Sequence, residues 1–92
     1  MKLISVYNKY QHSDRVYHYY LSFISKLNQA GLSIKLSDGP VDIKNQAIIK
    51  FPKDAHNIQI IIDYYIRIRY ASERDKVLIK QFIIHVKQLK LT

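Results

Sequence analysis

The amino-acid sequence predicts an all-α fold: a small, mostly antiparallel four-helix domain, with helices over about 14–30, 40–51, 54–70 and 73–89. Three observations carry that expectation. Two glycines and two prolines leave few places to turn, and few turns favour long helices over a many-stranded sheet. Apolar residues recur at steps of three and four along most of the chain. The stretch from Asp54 to Tyr70 is apolar around more than half of a helical circumference, as expected of a helix contacted from two directions.

Taken in order, residues 1–12 are a lead-in, either a short helix from Leu3, Ile4, Val6 and Tyr7 or a loosely held tether, and residues 13–92 form a single helical domain. Ser13 is a suitable N-cap, with Asp14 in the first turn where the helix dipole favours it. Val16, Tyr20, Phe23, Leu27 and Ala30 then mark the inner face of the first helix. Gly31 stands where a glycine closes a helix in a left-handed turn. The connection 31–39 offers Ile34 and Leu36 as apolar anchors. Gly39 caps the second helix, and Pro40 suits its first position because proline's fixed φ is helical and its missing N–H is not needed there. Val41, Ile43, Ala47, Ile48 and Phe51 form the apolar stripe, and Pro52 ends it.

Asp54 is the expected N-cap of the central helix. Its face consists of Ile58, Ile61, Ile62, Tyr65 and either Ile68 or Arg69, flanked by Ile60, Tyr64 and Arg67. The β-branched run 60–62 also suits a strand, but Asp63 and the spacing after it fit the helical period better. Ser72 and Asp75 resemble a capping box at the start of the last helix, whose core face is Leu78, Phe82, Val86 and Leu89. Ile79 and Ile83 extend that face, and Lys76, Lys80 and Lys87 line the other. The short link at 71–72 makes the third and fourth helices antiparallel neighbours or a sharp corner.

Ninety-two residues make one domain, and 48% hydrophobic residues supply one core. The absence of cysteine removes disulfides, thiolate zinc sites and a cysteine nucleophile. The net charge of +8 attracts polyanions, either nucleic acid or the anionic face of a membrane. That charge is dispersed: residues 1–53 carry eight positive and three negative groups, and residues 54–92 seven and four. No apolar run is long enough to span a bilayer, and the start is too short for a secretory signal.

The chain lacks the residue patterns of hydrolytic or transfer chemistry. No serine has a nucleophile-elbow setting, and His12, His18, His56 and His85 show no metal-ligand spacing. Asp14, Asp42, Asp54, Glu73 and Asp75 sit where helix starts favour acids. No catalytic residue, cofactor or metal is expected. Tyr17, Tyr19, Tyr20, Tyr64, Tyr65 and Tyr70 interleave with Arg15, Arg67 and Arg69, a pattern that nucleic-acid binders use for stacking and phosphate contact. Tyrosines at helical spacing more often pack their rings, with arginine stacked across them, and core packing is the preferred reading.

Ala30-Gly31-Leu32, Gly39-Pro40, Phe51-Pro52 and the run Tyr65-Ile66-Arg67-Ile68-Arg69-Tyr70 follow one another in an order that resembles the C-terminal segment of bacterial membrane-anchored transglutaminase-like proteins. There an arginine-rich helix ends in A-G-L, a proline linker follows, a helix closes on F-P, and the next ends in R-Y. Ser33 stands where that family usually has proline, and Ala71 where it has glycine. The resemblance implies a non-catalytic accessory domain on the cytoplasmic side of a bacterial inner membrane, beside the last transmembrane helix of its parent. The parent's Cys-His-Asp domain has no counterpart in this chain. Its partners would be the rest of the parent, an anionic lipid surface or another protein. The basic charge then follows from the Lys and Arg enrichment of cytoplasmic segments beside membranes.

The motif residues Gly31, Pro40, Pro52, Tyr65, Arg69 and Tyr70 are expected to be structural. Arg69 would cap carbonyls or bond a carboxylate or carbonyl of the first or second helix, with Tyr70 packing under the fourth. Lys2, Lys9, Lys76, Lys80 and Lys87 are the expected membrane-surface contacts. The alternative is a free-standing small basic helical protein, either a nucleic-acid binder or a bacteriocin-immunity-like bundle.

Overall fold

In the computed structural model, residues 2–70 and 75–91 are described, with side chains from Arg15 onward. The first helix, α1 (Lys2–Gln29), is 28 residues long, so it begins well before Ser13. At about 1.5 Å per residue it measures roughly 42 Å, close to the molecule's longest dimension of 47 Å. Ser13 and Asp14 therefore lie inside the helix rather than at its start. No proline or glycine interrupts residues 1–30, and a capping signal without a breaker ahead of it does not stop a helix. Three further α-helices follow, α2 (Pro40–Lys50), α3 (Ala55–Arg69) and α4 (Lys76–Gln88), and a 3₁₀ turn (Pro52–Asp54) leads into α3. Among the described residues there is no strand.

Each boundary has a local cause. Gly31 adopts φ 114°, a left-handed conformation that glycine reaches without a Cβ penalty. There the Leu32 N–H donates to Leu27 O at 3.1 Å and the Gly31 N–H to Asn28 O at 3.1 Å, the paired bonds of a Schellman end. The Asn28 side chain then holds the returning chain, accepting from the Ile34 N–H at 2.7 Å and donating to Ile34 O at 3.2 Å. Ile34 is buried as expected, but Leu36 is 71% exposed. It sits in a turn closed by the Lys35 N–H on Asp38 Oδ2 and the Asp38 N–H on Lys35 O, which turns it outward. Gly39 and Pro40 start α2 as the sequence indicates.

Asp54 occupies the N-cap position of α3, but its side chain makes no capping hydrogen bond. The 3₁₀ turn feeds directly into the helix, with the Ala55 N–H donating to Pro52 O. Asp75 is itself the N-cap of α4, its carboxylate accepting from the Val77 N–H at 2.8 Å. α4 thus starts three residues later than expected, and Ser72 lies outside the described residues.

The core is a single cluster drawn from all four helices. Phe23 and Leu27 of α1, Ile43 and Ala47 of α2, Ile58, Ile61 and Ile62 of α3, and Phe82 of α4 are fully enclosed. α3 packs against both α2 and α4, as its wide apolar face implies. Tyr20 of α1 stacks on Tyr65 of α3, and Tyr17, a turn earlier, lies beneath Arg69, a turn later, so α1 and α3 are antiparallel. α3 and α4 meet through Tyr65 on Phe82 and Tyr64 on His85. α1 and α4 run in the same direction: Arg15 lies beside the body of α4, and Lys26 reaches its C-terminal end. Among the described residues no polar or charged side chain is buried.

Candidate functional site

The parallel pairing of α1 with α4 creates a surface where three of the basic residues expected from the sequence, Lys76, Lys80 and Lys87, gather. On α1, Arg15, Tyr19, Ser22 and Lys26 recur at steps of four, three and four and so share a face. That face runs along α4. Lys26 donates from Nζ to Val86 O and, at 3.0 Å, to Leu89 O, so an ammonium from α1 satisfies the last carbonyls of α4. Burial lowers the Lys26 pKa below the usual lysine value. One step back along the seam, the Lys87 ammonium lies over the Tyr19 ring, 5.6 Å from its centroid.

Beyond Tyr19 the two helices frame an open groove of about 470 Å³. Ile79, Ile83 and Ile84 give it an apolar floor, and Arg15, Lys76, Lys80 and Lys87 supply four cations around it. No carboxylate is among the described lining residues. Helical geometry explains the arrangement, since residues 76, 80, 83 and 87 share a face of α4. That face borders the core-facing arc, in which Ile83 is buried together with Leu78, Phe82, Val86 and Leu89. Asp75, the acid next in sequence, is engaged in its capping bond to Val77. Four like charges beside an apolar floor repel one another, and an anion placed among them relieves that repulsion.

Three of the five expected surface lysines, Lys76, Lys80 and Lys87, are thus brought together. The side chains of Lys2 and Lys9 lie outside the described set, although both residues belong to α1. Arg15 and Lys26 were not among the expected site residues. The spacing of the α1 polar stripe was the available signal for them, but only the parallel pairing shows what it faces.

The motif residues lie elsewhere, at corners and in the core. Gly31 ends α1, Pro40 opens α2 and Pro52 opens the 3₁₀ turn. Tyr65 is buried, with its ring 3.7 Å from Tyr20 and nearly parallel to it. Arg69 departs from expectation: it is exposed, with its guanidinium 5.9 Å above the rings of both Tyr17 and Tyr65. Tyr70 does not pack under α4; it is 69% exposed as the C-cap of α3. The last turn of α3 points Ile68 inward, and its two successors are carried around to solvent.

Burial raises the pKa of Tyr20, with Tyr65, Tyr70 and Tyr17 adding to the rise. Tyr65 is raised by burial as well, with Arg69 opposing. Among the described residues no three His, Asp or Glu side chains converge as metal ligands, and no helix is long and apolar enough to cross a membrane. Compared with known proteins, the chain matches no family model, no curated protein and no solved structure.

Proposed function

We propose that this domain is a non-catalytic docking module that lies against an anionic membrane surface through its α1/α4 face. The observation that carries the proposal is the gathering of Arg15, Lys76, Lys80 and Lys87 around an apolar floor, with no carboxylate among the described lining residues. Each basic residue near an anionic leaflet contributes about 1 kcal/mol, falling off within the screening length of about 8 Å at physiological salt. The motif resemblance suggests a setting, the cytoplasmic C-terminal segment of a transglutaminase-like inner-membrane protein, where a neighbouring transmembrane helix would hold the domain at the surface. Weak attraction is sufficient for a tethered module.

Co-sedimentation with phosphatidylglycerol/phosphatidylcholine vesicles tests the reading. Binding should appear on anionic vesicles, be absent on pure phosphatidylcholine, and weaken as salt rises. The double variant Lys76→Gln/Lys80→Gln should lose about 2 kcal/mol, roughly 30-fold. A control with the same net charge, Lys35→Gln/Lys53→Gln, removes exposed lysines from outside the groove and should retain most of the binding. Equal loss in both variants would mean that total charge, and not this face, is responsible. Tight, sequence-dependent binding of duplex DNA at the same salt would replace the membrane reading with a nucleic-acid one.

A further inference from the structure

A flat basic patch would serve electrostatic docking equally well, yet these cations surround a concavity. The groove's 470 Å³ falls within the roughly 300–1,000 Å³ of small-molecule sites, which combine apolar walls with a few placed polar groups. Its floor includes Ile84, which is half-buried and lies outside the core cluster that Ile83 joins. Ile79 is partly buried against that core. This isoleucine strip therefore presents apolar surface to the groove in addition to its share in the fold. The cations stand on long aliphatic stems around the strip, so their charges can reach the headgroup level while their methylenes widen the apolar wall.

We propose that the α1/α4 groove seats an acyl chain of a single anionic phospholipid on Ile79, Ile83 and Ile84, with its phosphate among Arg15, Lys76, Lys80 and Lys87. This rests on the reading of the face as an anionic-lipid surface and adds a specific ligand to it. Both halves of the ligand are chosen by complementarity. A phosphate alone leaves the isoleucine floor wet, and a neutral lipid brings no counter-charge to four cations that have none among the described lining residues. Arginine on α1 facing three lysines on α4 also spreads the donors over both walls. Arg15 offers a planar fork that matches a phosphate's oxygens, and the lysines act as movable point charges.

The test uses the full chain with monomeric dihexanoyl phosphatidylglycerol below its micelle concentration, read by the Ile δ1 methyl resonances. Saturable shifts are expected at Ile79, Ile83 and Ile84, with much weaker binding of dihexanoyl phosphatidylcholine. Glycerol phosphate should leave the three methyls in place. Ile84→Gln keeps every charge and removes part of the floor; it should weaken the monomeric lipid at least tenfold while salt-sensitive vesicle binding stays within about threefold. Unmoved methyls in the presence of the anionic lipid would overturn the inference, as would glycerol phosphate binding as tightly as the lipid. Vesicle binding without monomer binding leaves surface docking intact and removes the seated lipid. Monomer binding without vesicle binding does the opposite, leaving a groove for a dispersed anionic amphiphile. Stronger binding of an acidic amphipathic peptide through the same methyls would assign the groove to a protein partner and overturn the lipid.

Discussion

Ile62 has no exposed surface and belongs to the core cluster, so truncating it leaves a cavity that the surroundings only partly fill. Ile62→Ala should cost about 2–5 kcal/mol, measured as the shift in urea midpoint at constant slope. A loss below about 1 kcal/mol would show that the site collapses or faces solvent. Most of that inward face was legible, because Ile58, Ile61, Ile62 and Tyr65 follow the 3.6-residue period and are buried; the choice between Ile68 and Arg69 was left open by the period and falls to Ile68. Arg69 and Tyr70 were not. Their orientation depends on where α3 stops and on which rings α1 places below it, and neither is encoded at positions 69 and 70. An exposed cation over aromatic faces is worth about 0.5–1 kcal/mol, so Arg69 steadies the corner and is not its main support.

For the helices as elements, all four ends lie within one residue of the expected positions, whereas the starts of α1 and α4 do not. Gly39 and Pro40 announce α2 through their own chemistry, while Asp75, expected as the capping-box partner of Ser72, is itself the N-cap of α4. α4 finishes differently: Leu89 is extended and no glycine follows, so its last carbonyls depend on Lys26, 60 residues away from Val86 in sequence. Nothing near residue 88 could have signalled that. Lys26→Met preserves most of the stem and removes the charge-assisted donor. It should cost about 1 kcal/mol, below the 1.5–3 typical of bonds to charged groups because Lys26 is only half-buried. Hydrogen exchange should quicken at the amides of the last turn of α4 and not in α3; uniform quickening would mean that Lys26 supports the whole core. The start of α1 was misread for a related reason. Ser13 and Asp14 carry a helix-start signal, but a start also needs something to end the helix before it.

At the scale of the molecule, four of the fifteen basic groups that looked dispersed along the sequence are collected around one groove. Lys76, Lys80 and Lys87 could be grouped from one helix's periodicity, whereas Arg15 joins them only because α1 and α4 run in parallel. Stability against pH is also a property of the whole, because the Tyr20–Tyr65 stack joins α1 to α3. Both tyrosines hold their protons more tightly in the fold than the unfolded chain's value of about 10. Their contribution is fully present below about pH 10 and is lost as pH rises above it, because the unfolded chain then releases protons that the fold retains. The melting temperature should therefore fall steeply above pH 10. Tyr20→Phe, which keeps a ring in the stack and removes one ionisable hydroxyl, should make that fall shallower. An equally steep fall in the variant would place the alkaline loss elsewhere. Short-range rules described the core-facing stripes of the helices, and tertiary pairing decided what those helices face.

Because α1 is continuous from Lys2 to Gln29, the groove is fixed in azimuth as well as in distance relative to the helix's first turn. A flexible leader would let the basic face find a surface by diffusion; a helical one sets its bearing. One residue added to or removed from such a helix turns everything after it by about 100° and moves it by about 1.5 Å. Length changes ahead of Arg15 would therefore act as rotations, and single-residue steps would carry the groove out of alignment with a fixed surface and bring it back near every third or fourth step.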